Sequence, residues 1–143
     1  MTRAVTLLLA EDNQNDVVLI SKAFEGQRGL NILGAVENGE ELLAYLRQEG
    51  AYRQAARPDL VLMDIKMPGK NGLEALKEIK ADPALRDLPV IMLSTSDRQE
   101  DIAESYRSGA CSYLVKPVEF QQFREIARVF ELYWAGISRL PRP

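Results

Sequence analysis

Glu11 and Asp12 stand directly behind the apolar run Val5 to Ala10, and Asp64 stands directly behind Leu60 to Met63. Ser94 closes a third apolar run and Lys116 a fourth. Continuous apolar runs of this length read as strands buried on both faces, as in a parallel sheet covered by helices. In such a sheet the carboxyl ends of the strands line the ligand crevice, so residues far apart in sequence meet on one edge. Three carboxylates gathered there repel one another, and at least one pKa rises unless a cation sits among them. A hard divalent ion such as Mg²⁺ suits an all-oxygen set of this kind. A hydroxyl and an ammonium on the other side complete a pocket for a phosphoryl group. Singly, each residue has a plainer reading: Asp64 and Lys116 as solvated strand ends, Ser94 as a turn residue. Their joint placement favours the pocket.

The elements that must hold these residues follow one another in a regular order. Val5 to Ala10 is the first strand, with Asn13 or Asn15 able to cap the next helix and Asp16 in its first turn, where the macrodipole favours an acid. Val17, Ile20 and Phe24 share one face of that helix, which Gly26 and Gly29 end. Leu30 to Val36 is a second strand, and Asn38-Gly39 opens a helix carrying Leu42, Leu43 and Leu46. A polar connection over 50–58 leads to the Asp64 strand, after which Pro68, Gly69 and Gly72 open a loop. Leu73, Leu76 and Ile79 mark a third helix closed by Asp82-Pro83. The fourth strand spans 88–93, Asp97 is the expected cap of a fourth helix, and Gly109 ends it. Ser112 to Val115 is a short fifth strand. A last helix starts near 119, with Phe120, Phe123, Ala127 and Phe130 as its core stripe. Five strand–helix repeats give a doubly wound parallel sheet with right-handed crossovers. No internal repeat or linker interrupts them, so 1–143 is expected to be a single domain with an extended C-terminal helix and tail over 119–143.

Composition narrows the chemistry. The chain is 46% hydrophobic and 27% charged, ordinary for a globular protein, and its net charge of -3 argues against a general nucleic-acid binder. It has no histidine, which excludes Ser-His-Asp catalysis and histidine metal sites. The one cysteine, Cys111, excludes an internal disulfide and is expected to be a small buried hydrophobe. No apolar run approaches the ~20 residues of a membrane span, and the first strand runs into Glu11-Asp12 without a cleavage-site pattern. The expected location is the cytoplasm, with no membrane partner.

Leu9-Ala10-Glu11-Asp12-Asn13, Met63-Asp64-Ile65-Lys66-Met67-Pro68, Leu93-Ser94-Thr95 and Val115-Lys116-Pro117 resemble the signature of the receiver domain of two-component response regulators. The resemblance covers essentially the whole chain, with the motifs in order, spacing and strand context. Gly50-Ala51-Tyr52-Arg53 and the aromatic end Phe130-Glu131-Leu132-Tyr133-Trp134 are most similar to stand-alone receivers partnered with bacterial phytochrome kinases. This resemblance implies a flavodoxin-like fold with strand order 2-1-3-4-5. It implies that Asp64 takes a phosphoryl group from the phosphohistidine of a sensor histidine kinase, in the nearest subgroup a bacteriophytochrome. Asp12, Asp64 and the main-chain carbonyl of Lys66 would ligate Mg²⁺, with Glu11 acting through a water. Lys116 and the ion would neutralise charge during transfer, Ser94 would bond the new phosphate, and the Tyr113 rotamer would follow. Lys66 and Ser96 occupy the places that tune dephosphorylation, and a slow loss of phosphate is expected. The bond before Pro117 is implied to be cis, fixing Lys116 toward the pocket.

Rival chemistries lack their residues. A haloacid-dehalogenase-type phosphatase needs a second Asp two places beyond the first, where this chain has Lys66; a P-loop enzyme needs a Gly-rich loop where Glu11-Asp12-Asn13 stands. No enzymatic activity beyond self-phosphorylation and self-dephosphorylation is expected. The chain after Pro117 is too short for a helix-turn-helix output domain, so the expected output is protein binding. Val129, Leu132, Tyr133, Trp134, Ile137 and Leu140 exceed one core-facing stripe. They point to a homodimer through the fourth helix, fifth strand and fifth helix, unless the tail folds back on its own domain. The alternative to a phospho-switch is a receiver-fold interaction scaffold that works without phosphorylation.

Overall fold

The computed structural model describes residues 4–141. Five strands, β1 (Val5–Ala10), β2 (Leu30–Val36), β3 (Leu60–Met63), β4 (Val90–Ser94) and β5 (Ser112–Val115), pair in parallel in the order β2-β1-β3-β4-β5. They alternate with α1 (Gln14–Glu25), α2 (Gly39–Leu46), α3 (Gly72–Ala81), α4 (Gln99–Arg107) and α5 (Phe120–Glu131). This is the flavodoxin-like order expected. A 3₁₀ turn at Gly50–Tyr52 interrupts the connection to β3, and a π-helical stretch, Leu132–Ile137, continues α5.

The period-2 alternation of strand side chains divides the core into two halves. Leu8, Ala10, Val61, Met63, Val90 and Met92 point to one face and meet Leu42 and Leu43 of α2 and Leu76 and Ile79 of α3. Val5, Leu7, Leu9, Leu60, Leu62, Ile91 and Leu93 point to the other and meet Ile20 and Phe24 of α1 and Phe123, Ala127 and Phe130 of α5. The central strands β3 and β4 are buried throughout, which is why they read as unbroken apolar runs rather than alternating ones.

Asparagines start three helices. Asn13, Asn38 and Asn71 each accept the N–H of the residue three further on, at 3.1, 2.8 and 2.9 Å. At Asn71 the bond is reciprocated, because Glu74 reaches back to the Asn71 N–H at 3.0 Å. The fourth helix departs from expectation: Arg98, not Asp97, is its cap residue, and it makes no side-chain cap. Ser96 lies one position nearer the strand, and its Oγ accepts the Arg98 N–H at 3.3 Å instead. The fourth strand begins at Val90; Leu88 is buried but precedes Pro89, in the turn that closes on Leu85.

Two expectations near the fifth helix are revised. Cys111 is exposed, not buried, because it sits at the start of an edge strand whose outer side has no neighbouring strand. The C-terminal stretch serves both roles weighed for it. Trp134, Ala135 and Leu140 pack on the core half formed with α1 and α5, Trp134 lying 6.1 Å from Phe130 and 5.0 Å from Tyr133 between ring centres. Val129, Leu132, Tyr133 and Ile137 stay exposed, and Phe120, expected in the core stripe, is exposed as well. The junction is tied to the connection between α1 and β2: Gly29 N–H donates to Glu131 Oε2 at 2.5 Å. A Cβ on residue 29 would come within 2.8 Å of that oxygen and 3.1 Å of the Ala135 Cβ, so a larger residue there would displace the Glu131 carboxylate and crowd the tail.

Candidate functional site

The sheet brings the strand-end residues together at its carboxyl edge. Glu11 follows β1, with its N–H on Val36 O at 2.8 Å; Asp64 follows β3, with its N–H on Ala10 O at 3.0 Å; Lys116 follows β5, with its N–H on Ser94 O at 2.7 Å. Those ladder bonds fix the three backbones, so little remains free except the side-chain torsions. Carboxylate oxygens of Glu11, Asp12 and Asp64 all lie within 4.8 Å of one another. Glu11 and Asp64 are buried and Asp12 is exposed, which leaves the cluster open to solvent on the Asp12 side. Next to it is a recess of about 410 Å³ lined by Asp12, Ile65, Lys66, Met67, Pro68 and Asn71.

Lys116 closes the pocket from the opposite side. Its Nζ lies 2.5 Å from Glu11 Oε1, 2.8 Å from Asp64 Oδ2 and 2.9 Å from Asp16 Oδ2. Burial works against its charge, but the hydrogen bonds to Asp64, Glu11 and Asp16 prevail and hold its pKa above the usual lysine value. Glu11 moves the other way. Burial pushes its carboxyl up to about 7, against the opposing pull of Lys116 and of the Asn13 N–H, while the nearby Asp64 charge pushes it further up. The two directions agree physically: one ammonium does not neutralise the acids around it, and the most enclosed acid pays in proton affinity. The mutual repulsion expected from the sequence is therefore present, second to desolvation.

The bond before Pro117, expected to be cis, is trans, as is every peptide bond among the described residues. The lysine stem is long enough to reach three carboxylates from a trans backbone, and trans is the lower-energy form of an X–Pro bond. Ser94 ends β4 fully buried, and its Oγ accepts the Ser96 N–H at 3.3 Å. Tyr113 is half-buried in β5 and donates its hydroxyl to Ser96 O at 2.8 Å. Ser96 itself turns toward α4, donating to Asp101 Oδ2 at 2.5 Å. Lys66 is exposed, and its N–H makes a long contact, 3.4 Å, to Asp64 Oδ1.

Loop geometry keeps Asp64 in place. Gly69 adopts a left-handed φ of 66°, and Gly72 N–H donates to Ile65 O at 2.8 Å. A Cβ on residue 72 would run into the Asp64 carbonyl oxygen, so α3 can start this close to the strand end only with glycine there. Sequence reasoning missed one member of the site, Asp16. It was read only as a helix-start acid, although a position four beyond Asp12 on a capped helix puts it at the rim of the same edge.

A doubly wound sheet in the order β2-β1-β3-β4-β5, with an acid cluster, a buried lysine and a buried serine on its carboxyl edge, has the architecture of a flavodoxin-like receiver module. The family model of the response regulator receiver domain matches residues 7–128, and the chain belongs to that family. It is 37% identical to the probable methanogenesis regulatory protein FilR2 of Methanothrix harundinacea, over 96% of this chain and 88% of that protein. It is 32% identical to the response regulator Rcp1 of Synechocystis sp., over 94% and 92% of the two chains, and the Mn²⁺-bound structure of Rcp1 superposes with a TM-score of 0.87 at 30% identity, covering 96% and 99%. The phosphorylated cyanobacterial phytochrome response regulator RcpA superposes with a TM-score of 0.90 at 39% identity, covering 97% of this chain and 99% of that one. The chain is thus a response regulator similar, along nearly their whole length, to stand-alone regulators of phytochrome pathways. Among the described residues no helix is long and apolar enough to cross a membrane.

Proposed function

We propose that this protein is a phosphorylation switch in which Asp64 takes a phosphoryl group from a phosphohistidine of a sensor histidine kinase, a phytochrome kinase being the candidate that the similarity to the phytochrome response regulator RcpA supports. The observation that carries the reading is the single buried ammonium of Lys116 between Glu11 and Asp64 at the mouth of the sheet. An oxygen of Asp64 attacks phosphorus, the new O–P bond forms as the P–N bond breaks, and the electron pair of that bond leaves with the imidazole. Lys116 remains beside Asp64 and offsets negative charge as it gathers there. The oxygen-only donor set fits a hard divalent cation: Asp12, Asp64 and the Lys66 carbonyl would hold Mg²⁺ and Glu11 would act through a water. The ion, when bound, supplies charge neutralisation for the phosphoryl oxygens.

Phosphorylation adds close to two negative charges. Ser94, one residue beyond the reach of β4's apolar run, offers its hydroxyl to them, and Tyr113 leaves Ser96 O to follow. Lys66 and Ser96 set the rate of phosphate loss, which is slow. The readout is protein binding in the cytoplasm, not nucleic-acid binding. Exposed Tyr106, Val115, Val129, Tyr133 and Ile137 on α4, β5, α5 and the π stretch support a homodimer through that face, checked by light scattering before and after phosphorylation.

Intact mass after incubation with Mg²⁺ and acetyl phosphate tests the acceptor. One phosphoryl group is expected on the wild type, with none on Asp64→Asn or in the presence of chelator. Unchanged partner binding by Asp64→Asn would favour the phosphorylation-independent scaffold instead.

A further inference from the structure

An ammonium has three N–H bonds to give, and three carboxylates surround that of Lys116: it donates to Asp64 and Asp16 and lies against Glu11 at 2.5 Å. The first two partners belong to the acid cluster. Asp16 does not: it stands on the first turn of α1, outside the set of carboxylates close enough to share a cation. Its side chain is 22% exposed, against 2% for Glu11 and 9% for Asp64, and its contact is the longest of the three. The placement is built locally. Asn13 caps α1 and accepts the Asp16 N–H at 3.1 Å, while the Asn13 N–H is itself anchored on Glu11 Oε2 at 3.1 Å.

A phosphoryl group on Asp64 brings oxygens that Lys116 can bond only by releasing a partner. Glu11 and Asp64 are enclosed and would be left unpaired at a high desolvation cost, whereas water can reach Asp16. We propose that Asp16 is a positioning residue that occupies the third hydrogen of Lys116 in the resting protein and yields it to a phosphoryl oxygen. This rests on the reading of Asp64 as the acceptor. Asp16 then opposes phosphorylation in two ways with the same sign: it competes for the ammonium, and its negative charge repels the incoming anion.

The test uses the full chain with Mg²⁺ and acetyl phosphate, following uptake by intact mass for wild type, Asp16→Ala and Asp16→Asn. Removing one unit charge a few ångströms from the arriving group near the surface is expected to speed uptake about fivefold. Asp16→Asn keeps the side-chain shape and decides the matter if Asp16→Ala unfolds. The contact has its own readout in the ¹⁵N ammonium resonance of Lys116. That signal should shift between wild type and Asp16→Asn before phosphorylation and coincide after it, when the contact has already been given up; a role in helix stability alone would not produce this pattern. Uptake by Asp16→Asn that is slower than wild type, or within about twofold of it, overturns the assignment even if the wild type is phosphorylated normally. So does a Lys116 signal unmoved by Asp16→Asn. A wild type that gains no mass overturns the acceptor reading, and the role of Asp16 falls with it.

Discussion

Lowering the pH from 8 to 6 should weaken Mg²⁺ binding about tenfold, through Glu11 alone. Its carboxyl, raised to about 7 first by burial and then by Asp64 against the pull of Lys116 and the Asn13 N–H, is mostly protonated at pH 6 and mostly ionised at pH 8. A cation favours the ionised form, so binding expels the proton, and the fraction of protein ready to bind changes by roughly a factor of ten between those pH values. The same shift acts on stability without metal, with a defined sign. The folded protein holds this proton up to about pH 7, while the unfolded chain releases it near 4.5. Folded molecules therefore bind more protons across that window, and stability falls as pH rises through it, by on the order of 3 kcal/mol if Glu11 acts alone. Calorimetric titration of Mg²⁺ at pH 6, 7 and 8 in buffers of different ionisation enthalpy measures both the affinity and the protons released. Glu11→Gln should flatten the pH dependence. Equal affinity at pH 6 and 8 in the wild type, or an undiminished dependence in Glu11→Gln, would refute the reasoning that one enclosed carboxyl carries the excess charge of the cluster.

Two further outcomes concern the framework. Gly72→Ala should cost about 3 kcal/mol in urea unfolding, because the new Cβ meets the Asp64 carbonyl and comes within 3.0 Å of Asp64 C, backbone atoms that have nowhere to go; a loss below about 1 kcal/mol would show that α3 can shift away. Glu131→Ala should destabilise by about 1–3 kcal/mol by leaving the Gly29 N–H without its acceptor, and should increase hydrogen exchange in the π stretch; unchanged exchange there would mean Trp134 alone pins the tail.

Much of the protein was legible in the chain because its strongest signals are local. Continuous apolar runs at 60–63 and 90–93 read as central strands of a covered sheet, and Asn13 and Asn38 announced helix starts by an intrinsic side-chain preference, whereas the Asn71 cap emerged only in the structure. Once the strands are parallel, the meeting of Glu11, Asp64, Ser94 and Lys116 at one edge follows from topology. What depends on competition among distant groups was not legible. The cap position of α4 fell to Arg98 rather than Asp97, Cys111 faced outward because β5 is an edge, and the Lys116–Pro117 bond is trans, the lysine stem reaching its partners without a cis turn. The apolar surplus after Phe130 could cover the domain or remain open; the π stretch divides it, with Trp134 and Leu140 inward and Tyr133 and Ile137 outward. Asp16 is the same kind of case. Residue type and spacing put an acid at a helix start, but only the folded sheet, by carrying Lys116 across from the fifth strand, made it a partner of the site.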